Sequence, residues 1–154
     1  MAISSKLKIR PYIPDDKEAV IELLDLNIPK FFDRSEKEDL QKYLETEIED
    51  YYVVEENDQI IGAGGINYST EGHTATISWD IIAPNTQGKG IGRKLTEHRI
   101  KHINKNDEID LIVVRTSQFT FKFYEKMGFK LVKIEKDFWA DGFDLYFMEQ
   151  ENKM

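Results

Sequence analysis

Three glycines at alternate positions, Gly88, Gly90 and Gly92, stand between an apolar run ending Ile81-Ile82-Ala83-Pro84 and a segment of helical period. A strand that feeds a helix through such a loop has a direct physical use. The first amides of a helix lack internal acceptors, so they point outward with partial positive charge and can receive a phosphate. Glycines permit backbone angles closed to other residues and leave no Cβ to hold an anion away. Lys89 and Arg93 add positive charge beside the loop. A mere flexible turn accounts for one or two glycines but poorly for three at alternate positions. The P-loop pattern is excluded, because the chain continues Arg93-Lys94-Leu95 where Lys and then Ser or Thr are required. A dinucleotide fingerprint is matched only weakly, since position 93 is not glycine.

Hydrophobic periodicity around this loop alternates between strand and helix. Lys6 to Tyr12 read as a first strand, and Asp15 to Leu26 as a helix with Ala19, Val20, Leu23, Leu24 and Leu26 on its apolar face. Ser35 to Ile48 form a second, acidic helix, with Ser35 and Glu38 as a capping box. Tyr51 to Glu55 and Gln59 to Tyr68 form a hairpin across Glu56-Asn57-Asp58, and Thr74 to Ala83 a further strand. The glycine loop opens a helix that runs to about Asn104. Asp110 to Val114 is a short buried strand, Phe119 to Met127 a helix stopped at Gly128, and Phe129 to Ile134 and Phe143 to Glu149 are the last strands. The order β-α-α-β-β-β-α-β-α-β-β implies one mixed α/β sheet flanked by helices, in a single domain over residues 6–150.

At 154 residues the chain can bury a core without covalent staples. It has no cysteine, so disulfides, a thiolate nucleophile and cysteine zinc sites are excluded. A formal net charge of −8, with basic and acidic residues interspersed, argues against a nucleic-acid partner. Neither a membrane span nor the apolar core of a signal peptide is present, which points to a cytoplasmic protein without a membrane partner. His98 and His102 have a spacing that can bind a metal, but no third ligand is evident and packed histidines are the simpler reading, so no metal is expected.

The string Gln87-Gly88-Lys89-Gly90-Ile91-Gly92, after a strand ending Ile-Ile-Ala-Pro, resembles the acetyl-CoA signature of the GNAT superfamily of N-acetyltransferases. A second signature of that family, a strand and a helix with Tyr shortly before Gly-Phe, is matched by Leu111 to Phe129 with Tyr124 and Gly128. The resemblance covers essentially the whole chain. It implies a mostly antiparallel sheet with a splayed central parallel pair, and acetyl-CoA as acyl-donor co-substrate. Its pantetheine arm would bind backbone groups near Ile81, Ile82 and Ala83, and its pyrophosphate the amides of Gln87 to Gly92 and of Arg93.

In the resemblance Tyr124 is the general acid that assists the departing thiolate, although it would also serve as ordinary aromatic core beside Phe121 and Phe123. Ser117 stands where the family often has a cofactor-contacting Asn, and it is equally suited to cap the following helix. An alkylammonium must lose a proton before it attacks. Thr76, Ser78 and Asp80 share one face of their strand by the period of two, and Asp80, the carboxylate among them, is the candidate base. Against it stand a structural hydrogen bond or a water-mediated deprotonation. Phe31 and Trp139 are candidate substrate residues, with core packing or a dimer contact as the alternative. Direct transfer to a small-molecule or peptide amine is the expected reaction, with a catalytically silent acyl-CoA-binding module as its rival. A symmetric homodimer is compatible with the sequence.

Overall fold

The computed structural model describes residues 7–69, 71–86 and 89–153. Lys6, Gln87 and Gly88, the expected start of the first strand and part of the glycine loop, lie outside the described residues. In chain order the elements are β1 (Leu7–Pro11), α1 (Lys17–Leu26), α2 (Glu36–Thr46), β2 (Asp50–Glu56), β3 (Gln59–Tyr68), β4 (Thr74–Ile82), α3 (Ile91–Asn104), β5 (Leu111–Thr116), α4 (Phe121–Lys126), β6 (Lys130–Ala140) and β7 (Phe143–Glu151). The strands form one sheet in the order β1-β2-β3-β4-β5-β7-β6, with β4 and β5 parallel and the other neighbours antiparallel.

Local chemistry explains the turns. Asn57 and Asp58, both at positive φ, make the two-residue turn that joins β2 to β3, a conformation these residue types tolerate. The sheet is covered on both faces: Tyr51 of β2 packs edge-on against Tyr43 of α2, while its neighbour Tyr52 packs against His98 and His102 of α3. In α1 the buried stripe is Val20, Leu23 and Leu24, and it continues one turn on to Asn27. Leu26, expected on that stripe, is 61% exposed, because it lies about 200° around the helix from Leu24. Asn27 instead faces inward and donates from Nδ2 to Leu23 O (2.7 Å) and Ile82 O (3.1 Å), tying α1 to the end of β4.

The entry to α2 differs from the expected Ser35–Glu38 box. Asp33 takes that place: its N–H donates to Glu36 Oε2 (2.9 Å), its carbonyl accepts from Glu36 N (3.0 Å), and its Oδ2 accepts from Ser35 N (2.9 Å) and Ser35 Oγ (2.6 Å). Towards the C-terminus, the first strand of the last hairpin runs past its expected end at Ile134. β6 continues to Ala140, with Asp137 at positive φ in a bulge pinned by Asp144 Oδ1 on its N–H (2.9 Å) and by its own Oδ1 on Gly142 N (2.7 Å).

β4 carries the irregularity that shapes the site. Ala63 faces Ile81 and Gly65 faces Ser78, so Gly64 stands across from both Trp79 and Asp80, a β-bulge with Trp79 at φ 49°. The bulge cancels the period of two, so Asp80 does not share a face with Ser78. Trp79 reaches Phe32 and Tyr43 on the α2 side, while Asp80 reaches Arg99 of α3. A Cβ on Gly64 would sit 2.5 Å from Asp80 Oδ1 and 2.8 Å from Arg99 Nη1. Gly64→Ala is therefore expected to lower stability by about 1–3 kcal/mol in urea unfolding, by overpacking a rigid ion pair. An unchanged midpoint would contradict this account of the glycine.

Candidate active site

The parallel pairing of β4 and β5 runs from Thr74 and Leu111 to Ile77 and Val114 and stops there. Beyond it the two strands part, and a cleft of about 730 Å³ opens between the ends of β4 and β5, the start of α3, and α4. Ile82 and Ala83 line one arm of the opening and Arg115, Thr116 and Ser117 the other. A parted strand edge presents backbone groups without a ladder partner, which suits an extended amide-bearing ligand.

At the cleft's floor, a short turn after β4 is fixed by Thr86, whose Oγ1 donates to Ala83 O (2.6 Å). Gly90, in the left-handed region at φ 68°, is the N-cap of α3 and offers no side chain. Its carbonyl takes the Lys94 N–H (3.0 Å), and among the described residues no side chain caps the amides of Ile91, Gly92 and Arg93. These are the helix-start donors the sequence pointed to. Gly92 has a second reason to be glycine: its Cβ would lie 3.4 Å from the Phe123 ring, where α3 approaches α4. Gly90, Ile91, Gly92 and Arg93 all line the cleft. Lys89 turns elsewhere, its ammonium 2.8 Å from Glu56 Oε1 and its N–H toward Thr86 O. Ile81 buries its side chain in the core.

Two predicted side chains, Tyr124 and Asp80, meet on the cleft wall around a cation the sequence reading did not single out. Arg99 is 0% exposed at the centre of the stripe Ile91, Leu95, Arg99, Ile103 on α3. All its N–H groups have acceptors: Nε donates to Leu95 O (3.3 Å), Nη1 to Gly65 O (3.1 Å) and Asp80 Oδ1, and Nη2 to Asp80 Oδ2 (2.8 Å) and Thr96 Oγ1 (3.4 Å). Burial opposes the charge on Arg99, but Asp80's charge and hydrogen bonds outweigh it and hold its pKa above the ordinary guanidinium value. Tyr124 donates its phenolic proton to Asp80 Oδ2. Burial, reinforced by Asp80's negative charge, pushes that phenol well above its usual range, so it keeps its proton at neutral pH. Tyr51 fixes the bulge from the other face by donating to Trp79 O (2.9 Å).

The far end of the cleft is aromatic and acidic. Phe31 and Phe32 from the α1–α2 connection, Tyr43 of α2, Trp79 of β4, and Trp139 and Phe143 of the last hairpin line it, together with Glu36 and Asp39. Phe31 packs edge-on against Phe119, and Trp139 is anchored by Nε1 to Thr116 O (3.2 Å) with Arg115 over its ring. Ser117 borders the cleft while its Oγ accepts Phe119 N (3.2 Å), shaping the turn into α4; the N-cap of that helix is Thr120.

Sheet order, parted parallel strands and a helix start beside the gap define an α/β fold with one cleft between two strands, open to backbone donors at one end. The chain belongs to the acetyltransferase (GNAT) domain family, whose profile matches residues 16–152. It is 37% identical over 82 residues to an N-alpha-acetyltransferase of Saccharolobus solfataricus, a stretch that covers 51% of this chain and 47% of that protein. The match thus spans about half the length of that curated relative. The fold is shared with an N-acetyltransferase from Staphylococcus aureus (TM-score 0.78, 19% identity, 97% of this chain and 100% of the other covered). It is also shared with an aminoglycoside 6′-N-acetyltransferase complexed with coenzyme A (TM-score 0.76, 15% identity, 96% and 98% covered).

Proposed function

We propose that this chain is an acetyl-CoA-dependent N-acetyltransferase that passes the acetyl group directly to a primary amine while both are bound. The observation that carries this reading is the parting of β4 and β5 beside the uncapped amides of Ile91, Gly92 and Arg93. Residues present fit the donor. Backbone groups of Ile81, Ile82 and Ala83 on the parted strand receive the pantetheine arm, with Ser117 across the gap. The helix-start amides, with Gln87, Gly88 and the Cβ-free approach at Gly90 and Gly92, receive the pyrophosphate.

Within the cleft the chain's work is positioning and proton management. The amine lone pair attacks the thioester carbonyl carbon, the carbon–sulfur bond breaks, and Tyr124, turning its hydroxyl hydrogen from Asp80 to the departing sulfur, gives it a proton and is reprotonated by the one left on nitrogen. Asp80 orients that phenol. Its carboxylate already accepts two guanidinium N–H groups and one phenol, which suits a positioning residue better than a base that must collect a proton.

Calorimetric titration with CoA, followed by thiol release from acetyl-CoA across a panel of amines, tests the proposal. Binding with amine-dependent release is expected. Binding without release above background would identify a silent acyl-CoA-binding module, and absence of binding at millimolar CoA would overturn the reading altogether.

A further inference from the structure

With Asp80 engaged by Arg99 and Tyr124, the proton acceptor for the amine must come from elsewhere in the cleft. α2 places a carboxylate where an apolar residue belongs. Its buried stripe is Glu36, Leu40, Tyr43 and Leu44, so Glu36 points inward from the first turn. Glu36 is 7% exposed and lines the cleft. One of its oxygens takes the Asp33 N–H; the other has no hydrogen-bond partner among the described residues. The same cleft is lined by the stacked rings of Phe32 and Trp79 (centroids 6.5 Å apart, planes 15° apart), and Asp39 lies one turn further along the same helix at the cleft's rim. No buried side-chain oxygen lacks a partner among the described residues, so this second oxygen opens onto the cleft, where a cationic ligand can reach it. Aromatic faces lining the same cleft favour a cation as well.

We propose that Glu36 binds the acceptor amine as its cation and takes the proton that frees the nitrogen for attack, the acceptor being a primary aliphatic amine held between Glu36, Asp39 and the Phe32 and Trp79 rings. This rests on the transferase reading above. The proton balance closes. One proton of the ammonium passes to Glu36 and then to solvent; the second, left on nitrogen after attack, leaves with the sulfur through Tyr124. The products are an amide and a thiol.

The surrounding charges agree with this role. Asp33 and Asp39 flank Glu36 on the α2 segment, Tyr43 stands a turn or two behind, and Asp80 (β4), Arg93 (α3), Arg115 (β5) and Tyr124 (α4) contribute the other titratable groups of the cleft. Burial raises Glu36 to about 7; the Asp33 N–H opposes this, and the charges of Asp33 and Asp39 reinforce it. A base in this range suits proton transfer near neutral pH.

Glu36→Gln tests the assignment without dismantling the helix start, because an amide oxygen still accepts the Asp33 N–H. Putrescine, lysine methyl ester and an alanyl dipeptide serve as aliphatic acceptors, with aniline as an uncharged aromatic control. In the wild type, kcat/KM for an aliphatic acceptor should rise with pH through a limb near 7 that the variant lacks. The variant should lose about 100-fold or more in kcat/KM at neutral pH while calorimetric CoA binding stays unchanged. Retained activity with an intact limb would overturn the role of Glu36. CoA release by the wild type with aniline but with none of the aliphatic amines would overturn the acceptor class. Release with no amine of any kind would instead defeat the transferase reading, and this inference with it.

Discussion

Replacing Arg99 with Leu is expected to lower the free energy of unfolding by about 3–5 kcal/mol, the range for breaking a buried ion pair by removing one partner. Domains have only about 5–15 kcal/mol to lose, so the variant should be marginal at room temperature. The loss has a specific source. Asp80 would keep its place in the bulge with Tyr124 as its remaining partner, and the Gly65 carbonyl would lose its Nη1 donor. Asp80→Asn should be similarly damaging, since it leaves a fully buried guanidinium without a counter-charge. A double variant, Asp80→Asn with Arg99→Leu, should lose clearly less than the sum of the single changes, because the second substitution removes a charge that the first left stranded. Urea unfolding of the three variants measures this; strict additivity would show that the pair is not the unit that holds β4 to α3.

Tyr124→Phe is expected to lower kcat by about 100-fold or more, the lower end of what a positioned proton donor contributes, with CoA binding little changed. Its packing survives: the ring contacts with Phe123 and Phe129 do not use the hydroxyl. A packing role would therefore leave turnover intact, and so the Phe variant separates the two readings. The raised pKa of Tyr124 adds a pH expectation. Because the folded-state phenol holds its proton above the range where ordinary phenols ionise, no alkaline loss of activity should arise from Tyr124 in that range. The wild-type alkaline limb, compared with that of the Phe variant, checks it.

Repeating local signals made much of the architecture legible. Turn chemistry at Glu56-Asn57-Asp58 marked the hairpin of β2 and β3, Gly90 and Gly92 marked the start of α3, and Gly128 marked the stop of α4. The bulge at Trp79 and Asp80 was not legible, because a bulge is set by the partner strand and by the space that Gly64 leaves for Asp80 and Arg99. For that reason the period-of-two argument placed Asp80 on the wrong face. Extension of β6 to Ala140 was hidden similarly: it depends on Asp137 and Asp144 meeting across the hairpin, and both are turn-forming residues in sequence.

Arg99 and Glu36 were overlooked for a different reason. Each occupies an inward position of an otherwise apolar stripe, Ile91-Leu95-Arg99-Ile103 on α3 and Glu36-Leu40-Tyr43-Leu44 on α2. The spacing was present in the sequence, and a charged residue at such a position is the signal. It is masked on α2 by the acidity of the whole helix and on α3 by the further charged and polar residues around position 99. What each charge meets, Asp80 for Arg99 and an open cleft for Glu36, follows only from how the helices dock.

In the proposed reaction, one cleft brings acetyl-CoA and an amine together for direct transfer. Its most direct test follows a carbon-labelled acetyl group from acetyl-CoA, with and without a primary amine, by mass spectrometry of protein and small molecules. The protein should stay unlabelled in both cases, with label on the amine nitrogen and free CoA in equal amounts when the amine is present. Label retained covalently on the protein, or CoA release that ignores the amine, would contradict it.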